Sequence, residues 1–297
     1  MSHVLTLVAP PGQLPPALPA RAREAIAALG ADPGAPDWLA EAEAADLPFT
    51  GLNPEQAVAA VRATIGNAPV DAIAQAAEGR RKALLIADMD STIVTSETLD
   101  ELAAYAGLKD RVAEITRRSM NGEIDFAAAL RERVGMLKGL RLEALEATWE
   151  ATRLMPGARA LVRTMVANGA HCALASGGFT FFTGRVAALC GFSSHHANVL
   201  LDNGAALTGA VAEPVFDRDA KLATLTALAA ARGLPLSATL AVVDGANDLA
   251  MIGAAGLGIA YHAKPVVAAA ARARVDHNDL RALLYAQGYR ASEIAAD

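Results

Sequence analysis

Two aspartates one residue apart, Asp88 and Asp90, directly follow a run of five apolar residues, 83–87. That run is too short for a confident helix and suits a strand buried on both faces. In an extended segment residues i and i+2 point the same way, so both carboxylates are expected to face one cavity. Two negative charges side by side are costly unless a proton or a cation compensates them. The carboxyl end of a strand in an open α/β sheet is also where ligands bind. A strand ending in a polar Asx-type turn would account for the same residues without chemistry.

Three further groups fall where strands are expected to end or a helix to begin: Ser176-Gly177-Gly178, Lys221, and Asp244 with Asn247 and Asp248. Together with the first pair they suit phosphoryl transfer. One carboxylate can attack phosphorus and form an acyl-phosphate, and a second can protonate the leaving oxygen and then activate water. Hard oxygen donors, the Asp88 and Asp244 carboxylates and the Asp90 carbonyl, suit Mg²⁺. Ser176 with the amides after it, plus the Lys221 ammonium, would hold the other phosphoryl oxygens. Taken singly, each has a plain alternative. Lys221 reads as a solvated helix lysine, Ser-Gly-Gly as a turn, and Asn247 or Asp248 as a helix cap.

The elements that must position these residues divide at about residue 80. Before it, residues 4–8 read as a strand and 19–29 as a helix closed by Gly30. The stretch 38–49 could supply another strand, 54–64 reads as a second helix, and 70–77 as a further helical stretch. This predicts a small α+β module over 1–80, joined by the basic linker 79–82 to a second unit over 81–297. In that unit strand and helix alternate. Strands are expected at 83–87, 170–175 and 239–243, with a last short one at 258–260 before two terminal helices. A β-rich segment at 197–211 carries the hairpin turn Asp202-Asn203-Gly204. Such repeats imply an α/β, Rossmann-like core with a mostly parallel sheet and helices on both faces. Between Ser91 and Met155 the spacing predicts helices at 97–106, 112–120, 126–137 and 142–152, an insert long enough to be a lid over the carboxylates.

Composition excludes several classes. Of 297 residues 53% are hydrophobic and 20% charged, which rules out general disorder. A net charge of −6 argues against a nucleic-acid or anionic-membrane partner. No run approaches the length needed to span a bilayer, and the first residues lack a basic, long-cored leader, so a cytoplasmic protein is expected. Cys172 and Cys190 are the only cysteines and indicate neither a disulfide framework nor a zinc site. His195 and His196 are neighbours on a strand, face opposite ways, and are not expected to share a metal.

The groups Asp88-Met89-Asp90-Ser91-Thr92, Ser176-Gly177-Gly178-Phe179-Thr180, Lys221 and Asp244-Gly245-Ala246-Asn247-Asp248-Leu249 resemble the four motifs of the haloacid dehalogenase superfamily of phosphatases. The helical insert, about 97–154, resembles the cap found between its first two motifs. Within that superfamily the chain closely resembles the phosphoserine phosphatase family, over about residues 81–289. The resemblance implies that Asp88 is the nucleophile and Asp90 the general acid and base. Mg²⁺ would bind Asp88, the Asp90 carbonyl and Asp244, with Asp248 orienting its waters. Ser176, Gly177, Lys221 and Asn247 would contact phosphate. On the cap, Glu97 matches the partner of the substrate ammonium and Arg133 that of its carboxylate, while Met120 and Phe126 match the apolar residues closing over it. Val243 departs from the glycine usual before the motif aspartate.

What this implies is Mg²⁺-dependent hydrolysis of O-phospho-L-serine through an aspartyl-phosphate, the last step of serine biosynthesis. Two rival readings are a phosphotransferase delivering phosphate to an amino-acid alcohol and a non-catalytic amino-acid-binding regulator. From the residues alone, Glu97 and Arg133 could also pair with each other as a surface salt bridge. The module loosely resembles small regulatory α+β domains of the ACT type and has no assigned ligand. The sequence leaves the oligomeric state open.

Overall fold

The computed structural model describes residues 2–121 and 123–297. The first elements are β1 (His3–Val8), α1 (Ala17–Ala27), β2 (Asp32–Pro33), β3 (Asp37–Ala40), β4 (Ala44–Thr50), α2 (Pro54–Ile65) and β5 (Asp71–Ala76). They form an antiparallel sheet in the order β2-β4-β1-β5, with β3 also on β4. Helix α2 starts as its sequence demands: Asn53 accepts from the Glu55 amide at 2.8 Å and Pro54 occupies the first turn.

Residues 70–77, expected to be helical, are instead the edge strand β5, paired with β1 along its whole length. Its alanines favour a helix locally, but Ile73 packs to one side of the strand and Ala72 and Ala74 to the other. Pairing with a neighbour outweighs a weak local preference. The stretch 38–49 gives two strands rather than one, turned at Ala42 with φ +52°.

The second unit holds β6 (Leu84–Ala87), then α3 (Thr98–Ala104), α4 (Lys109–Met120), α5 (Phe126–Gly135) and α6 (Glu143–Ala151). After these come α7 (Ala158–Ala167), β7 (His171–Phe179), α8 (Thr180–Cys190), β8 (Ser194–Asn198), the hairpin β9 (Leu200–Asp202) and β10 (Leu207–Val211), and α9 (Arg218–Ala231). Last are β11 (Thr239–Val243), α10 (Leu249–Ala254), β12 (Leu257–Tyr261), α11 (Pro265–Ala270), β13 (Ala273–Val275) and α12 (Ala282–Ala286). Six strands pair in the order β13-β12-β11-β6-β7-β8, every neighbour parallel. The final segment thus contains a strand, β13, between its two short helices. Three residues are too few to show a period in sequence.

Alternation along β6 explains the two cores. Leu85 and Ala87 join one cluster with α7, α8 and α12, while Leu84 and Ile86 join another with α9, α10 and α11. A strand buried on both faces has no polar side, as its continuous apolar run requires. The lid helices α3 to α6 join the first cluster through Leu99, Leu102, Val112, Leu130, Val134 and Leu145. Val8, Leu39, Ala44 and Ile73 of the amino-terminal sheet join it too, and Asp71 accepts from the amides of Asp276, His277 and Asn278. The stretch 79–82 is tied down rather than a loose linker: Arg80 pairs with Asp46 at 2.6 Å, and Lys82 Nζ donates to the Gly79 and Ser237 carbonyls.

Candidate active site

Strands β11, β6 and β7 are adjacent, so Asp244, Asp88 and Ser176 emerge side by side at one edge of the sheet. The Asp88 amide still donates to Val242 O at 3.0 Å, which extends the sheet pairing to the carboxylate-bearing residue itself. Beyond it the chain turns sharply: the amides of Thr92, Ile93 and Val94 all converge on Met89 O, and Ser91 adopts φ +53°. Asp90 Oδ1 accepts from the Thr98 amide at 2.9 Å, the first residue of α3, so this carboxylate is held by the lid. Asp88 and Asp90 line one cavity with Glu97, Phe126, Arg133 and Ser176.

Charge sets the chemistry. Lys221 is 1% exposed and its ammonium lies 3.0 Å from Asp88 Oδ2 and 2.9 Å from Asp248 Oδ1. Burial pulls its pKa down, but the Asp248 and Asp88 carboxylates outweigh that and raise it. Burial, with the charges of Glu97 and Asp88, pushes Asp90 well above the usual carboxylate range. A raised carboxyl pKa is the direction a general acid requires. Asp244 is likewise pushed up to about 7, first by burial and then by Asp88 and Glu97.

Asp244 is 3% exposed, yet among the described residues its carboxylate is met only by the Thr92 hydroxyl, at 3.4 Å. The Asp90 carbonyl accepts no hydrogen bond among the described residues. A buried carboxylate so poorly satisfied, beside Asp88 and an open carbonyl, fits a small hard cation that keeps most of its waters. Among the described residues no group of three His, Cys, Asp or Glu side chains could hold a metal by itself. A set of two carboxylates and one carbonyl is consistent with that.

The haloacid dehalogenase-like hydrolase model matches residues 85–253. The chain belongs to this family. A phosphoserine phosphatase of Streptomyces coelicolor is 39% identical over 255 residues, 85% of this chain and 62% of the relative. One from Streptococcus thermophilus is 43% identical over 67% of this chain and 93% of its own length. The crystal structure of a HAD family hydrolase from Salmonella enterica serovar Typhi superposes with a TM-score of 0.82 at 28% identity. It covers 96% of this chain and 98% of the other. Against the first relatives found, the chain spans only 53–62% of their length.

In this haloacid dehalogenase-like hydrolase, Ser176 Oγ accepts from the Gly178 amide at 2.9 Å, so the hydroxyl is fixed by its own loop. Gly177 is backed by Asn198, which donates to the Gly177 and Phe216 carbonyls and accepts from the Phe216 amide. Lys221 is no solvated lysine. Asp248 precedes α10 but makes no side-chain cap bond, because Lys221 takes its carboxylate. Glu97 and Arg133 do not pair with each other among the described residues. Glu97 accepts from Ser91 Oγ at 2.6 Å, and Arg133 is 6% exposed. Val243 is fully buried in β11 and leaves Asp244 in place. The side chains of Met120 and Asn247, both expected at the site, lie outside what is described. Sequence reading carried Ser91 only as part of its motif, with no role of its own, and did not single out the pair Asp100 and Thr116 beside Arg133. Their only sequence signal is position, a few residues from motif groups on the same turn or helix.

Proposed function

We propose that this chain is a Mg²⁺-dependent phosphatase that hydrolyses O-phospho-L-serine to serine and phosphate. The observation carrying it is that a buried guanidinium and a separate carboxylate, unpaired with each other, share one cavity with the phosphoryl-transfer groups. An α-amino acid ester needs such an arrangement: a planar fork for its carboxylate and an anion for its ammonium. The named activity of the two bacterial relatives above supports the same reading.

In this reading Asp88 attacks phosphorus while Asp90 gives its proton to the departing serine oxygen. Serine leaves, and Asp88 carries an acyl-phosphate. Asp90, now ionised, takes a proton from water, which attacks phosphorus and frees phosphate and Asp88. Ser176, the amide of Gly177, Lys221 and Asn247 hold the phosphoryl oxygens throughout. The Asp88 and Asp244 carboxylates and the Asp90 carbonyl would hold Mg²⁺, near Asp248, to add positive charge against the phosphoryl group. Phe126 closes the apolar side and excludes water. Residues 1–80 form an accessory module and 81–297 the phosphatase unit, with the cap at about 97–154.

The test is phosphate release from phosphoserine and from phosphoethanolamine, which lacks only the carboxylate, with and without Mg²⁺. Arg133→Ala should lower kcat/KM for phosphoserine by about one to two decades, the worth of one charge-assisted contact at ~1.5–3 kcal/mol, and leave phosphoethanolamine nearly untouched. Equal losses on both would remove the amino acid from the reading. Transfer of phosphate to an added amino-acid alcohol in preference to water would favour a phosphotransferase, and no turnover of either ester would favour a regulator.

A further inference from the structure

At the wall of the cavity, which Thr116 and Arg133 both line, three lid helices are joined by one buried polar chain. Arg133 on α5 donates from Nη1 to Thr116 Oγ1 on α4 at 2.9 Å, and from Nε to Ala129 O at 3.2 Å. Thr116 Oγ1 lies 2.7 Å from Asp100 Oδ1 on α3. The three side chains are 6%, 5% and 8% exposed. Because a guanidinium can only donate, Thr116 must accept from it and turn its single proton elsewhere. The carboxylate of Asp100 is one such acceptor, and the Val112 carbonyl at 3.0 Å the other.

We infer that Asp100 and Thr116 are positioning residues that set substrate selectivity by holding Arg133 in a cation-bearing but unoccupied state. This rests on the phosphoserine reading above. A buried guanidinium needs a nearby negative charge, since burial alone draws its pKa down and Asp100 is the leading group opposing that. A direct Asp–Arg pair would meet the need but would occupy the fork with its own carboxylate. Interposing a hydroxyl keeps the charge close and leaves the Nη2 edge undonated among the described residues. That edge belongs to a side chain lining the cavity, where a substrate carboxylate would arrive. Because the chain crosses α3, α4 and α5, it also fixes Arg133 relative to Glu97, which immediately precedes α3. The spacing between the two charges that would read an amino acid is thereby built into the lid.

The measurement is KM and kcat for phosphoserine and phosphoethanolamine on wild type, Thr116→Val, Thr116→Ser, Asp100→Asn and Arg133→Ala. Thr116→Val, which keeps shape and removes the bridge, should raise the phosphoserine KM about tenfold with kcat little changed, and alter phosphoethanolamine less than about twofold. Thr116→Ser should restore wild-type KM, and Asp100→Asn should give an intermediate rise. Combining Thr116→Val with Arg133→Ala should cost no more than Arg133→Ala alone. Additive losses, or equal losses on both esters, would make Thr116 a packing residue and overturn the inference. If Arg133→Ala loses selectivity for phosphoserine while Thr116→Val and Asp100→Asn keep it, the positioning idea fails and the substrate reading stands. If Arg133→Ala shows no selectivity either, both fail.

Discussion

Lys221 is the residue on which the site's charges balance, with Asp88 on one side and Asp248 on the other. Asp88→Asn removes one partner and leaves the other, so the buried ammonium stays compensated and the fold should persist. Turnover should fall by roughly six orders of magnitude, as for replacement of a catalytic nucleophile. Circular dichroism beside a phosphate-release assay checks both halves, and substantial residual activity in deamidation-free protein would exclude this nucleophile. Asp244 yields a second outcome. Its folded pKa of about 7 lies above its ordinary value, so the native state binds this proton more tightly than the unfolded chain. The associated stability is complete below the ordinary carboxylate range and is lost as pH rises through about 7. In Mg²⁺-free buffer Tm should therefore fall between about pH 4 and 7. Added Mg²⁺ should raise Tm more at the upper end, where no proton competes for Asp244. Calorimetry on wild type and Asp244→Asn decides it, because the variant should lose the Mg²⁺ response and Asp244's share of the pH response, leaving only what Asp90, Glu97 and Asp248 contribute. The aspartates were legible in sequence by type and by their place at strand ends, and Lys221 by type alone, since it stands on α9 and not at a strand end. That Lys221 is buried between two acids was not, since a lysine on a mostly apolar helix carries no sign of which face it occupies.

At the scale of elements, one contact between the lid and the core depends on a missing side chain. A Cβ placed on Gly177 would come within 2.7 Å of Phe126 Cζ, so any larger residue there must push the Phe126 ring aside. Gly177→Ala should hold the lid partly raised and lower kcat/KM for phosphoserine by about tenfold. Shortening the opposing ring with Phe126→Leu in the same chain should recover part of the loss. Steady-state kinetics on the two variants read this directly, and an undiminished Gly177→Ala would show that closure does not need the contact. The four lid helices were legible because each is long enough to show an apolar stripe, as in α4, where Val112 and Ile115 are buried. Strands β5 and β13 were not. One is alanine-rich and the other three residues long, so only their pairing with β1 and β12 makes them strands.

Across the whole molecule, the amino-terminal sheet and the hydrolase core share a hydrophobic cluster and a polar seam. Asp71, 4% exposed, accepts from the backbone amides of three successive residues, Asp276, His277 and Asn278, and from Asn278 Nδ2 at 2.7 Å. Asn278 in turn reaches Val8 O at 2.9 Å. None of this showed in sequence, because the partners lie about two hundred residues apart and no local pattern links them. The consequence is that the accessory module behaves as an anion permanently tethered to its own receptor. Three converging amides form a nest that takes whatever small anion is offered, and the tether presents Asp71 at an effective concentration in the millimolar range or above. Asp71→Ala vacates that nest without dismantling it. Acetate or formate at tens of millimolar should then restore part of the lost Tm in the variant while leaving wild type unmoved. An equal shift in both proteins would mean only a general salt effect.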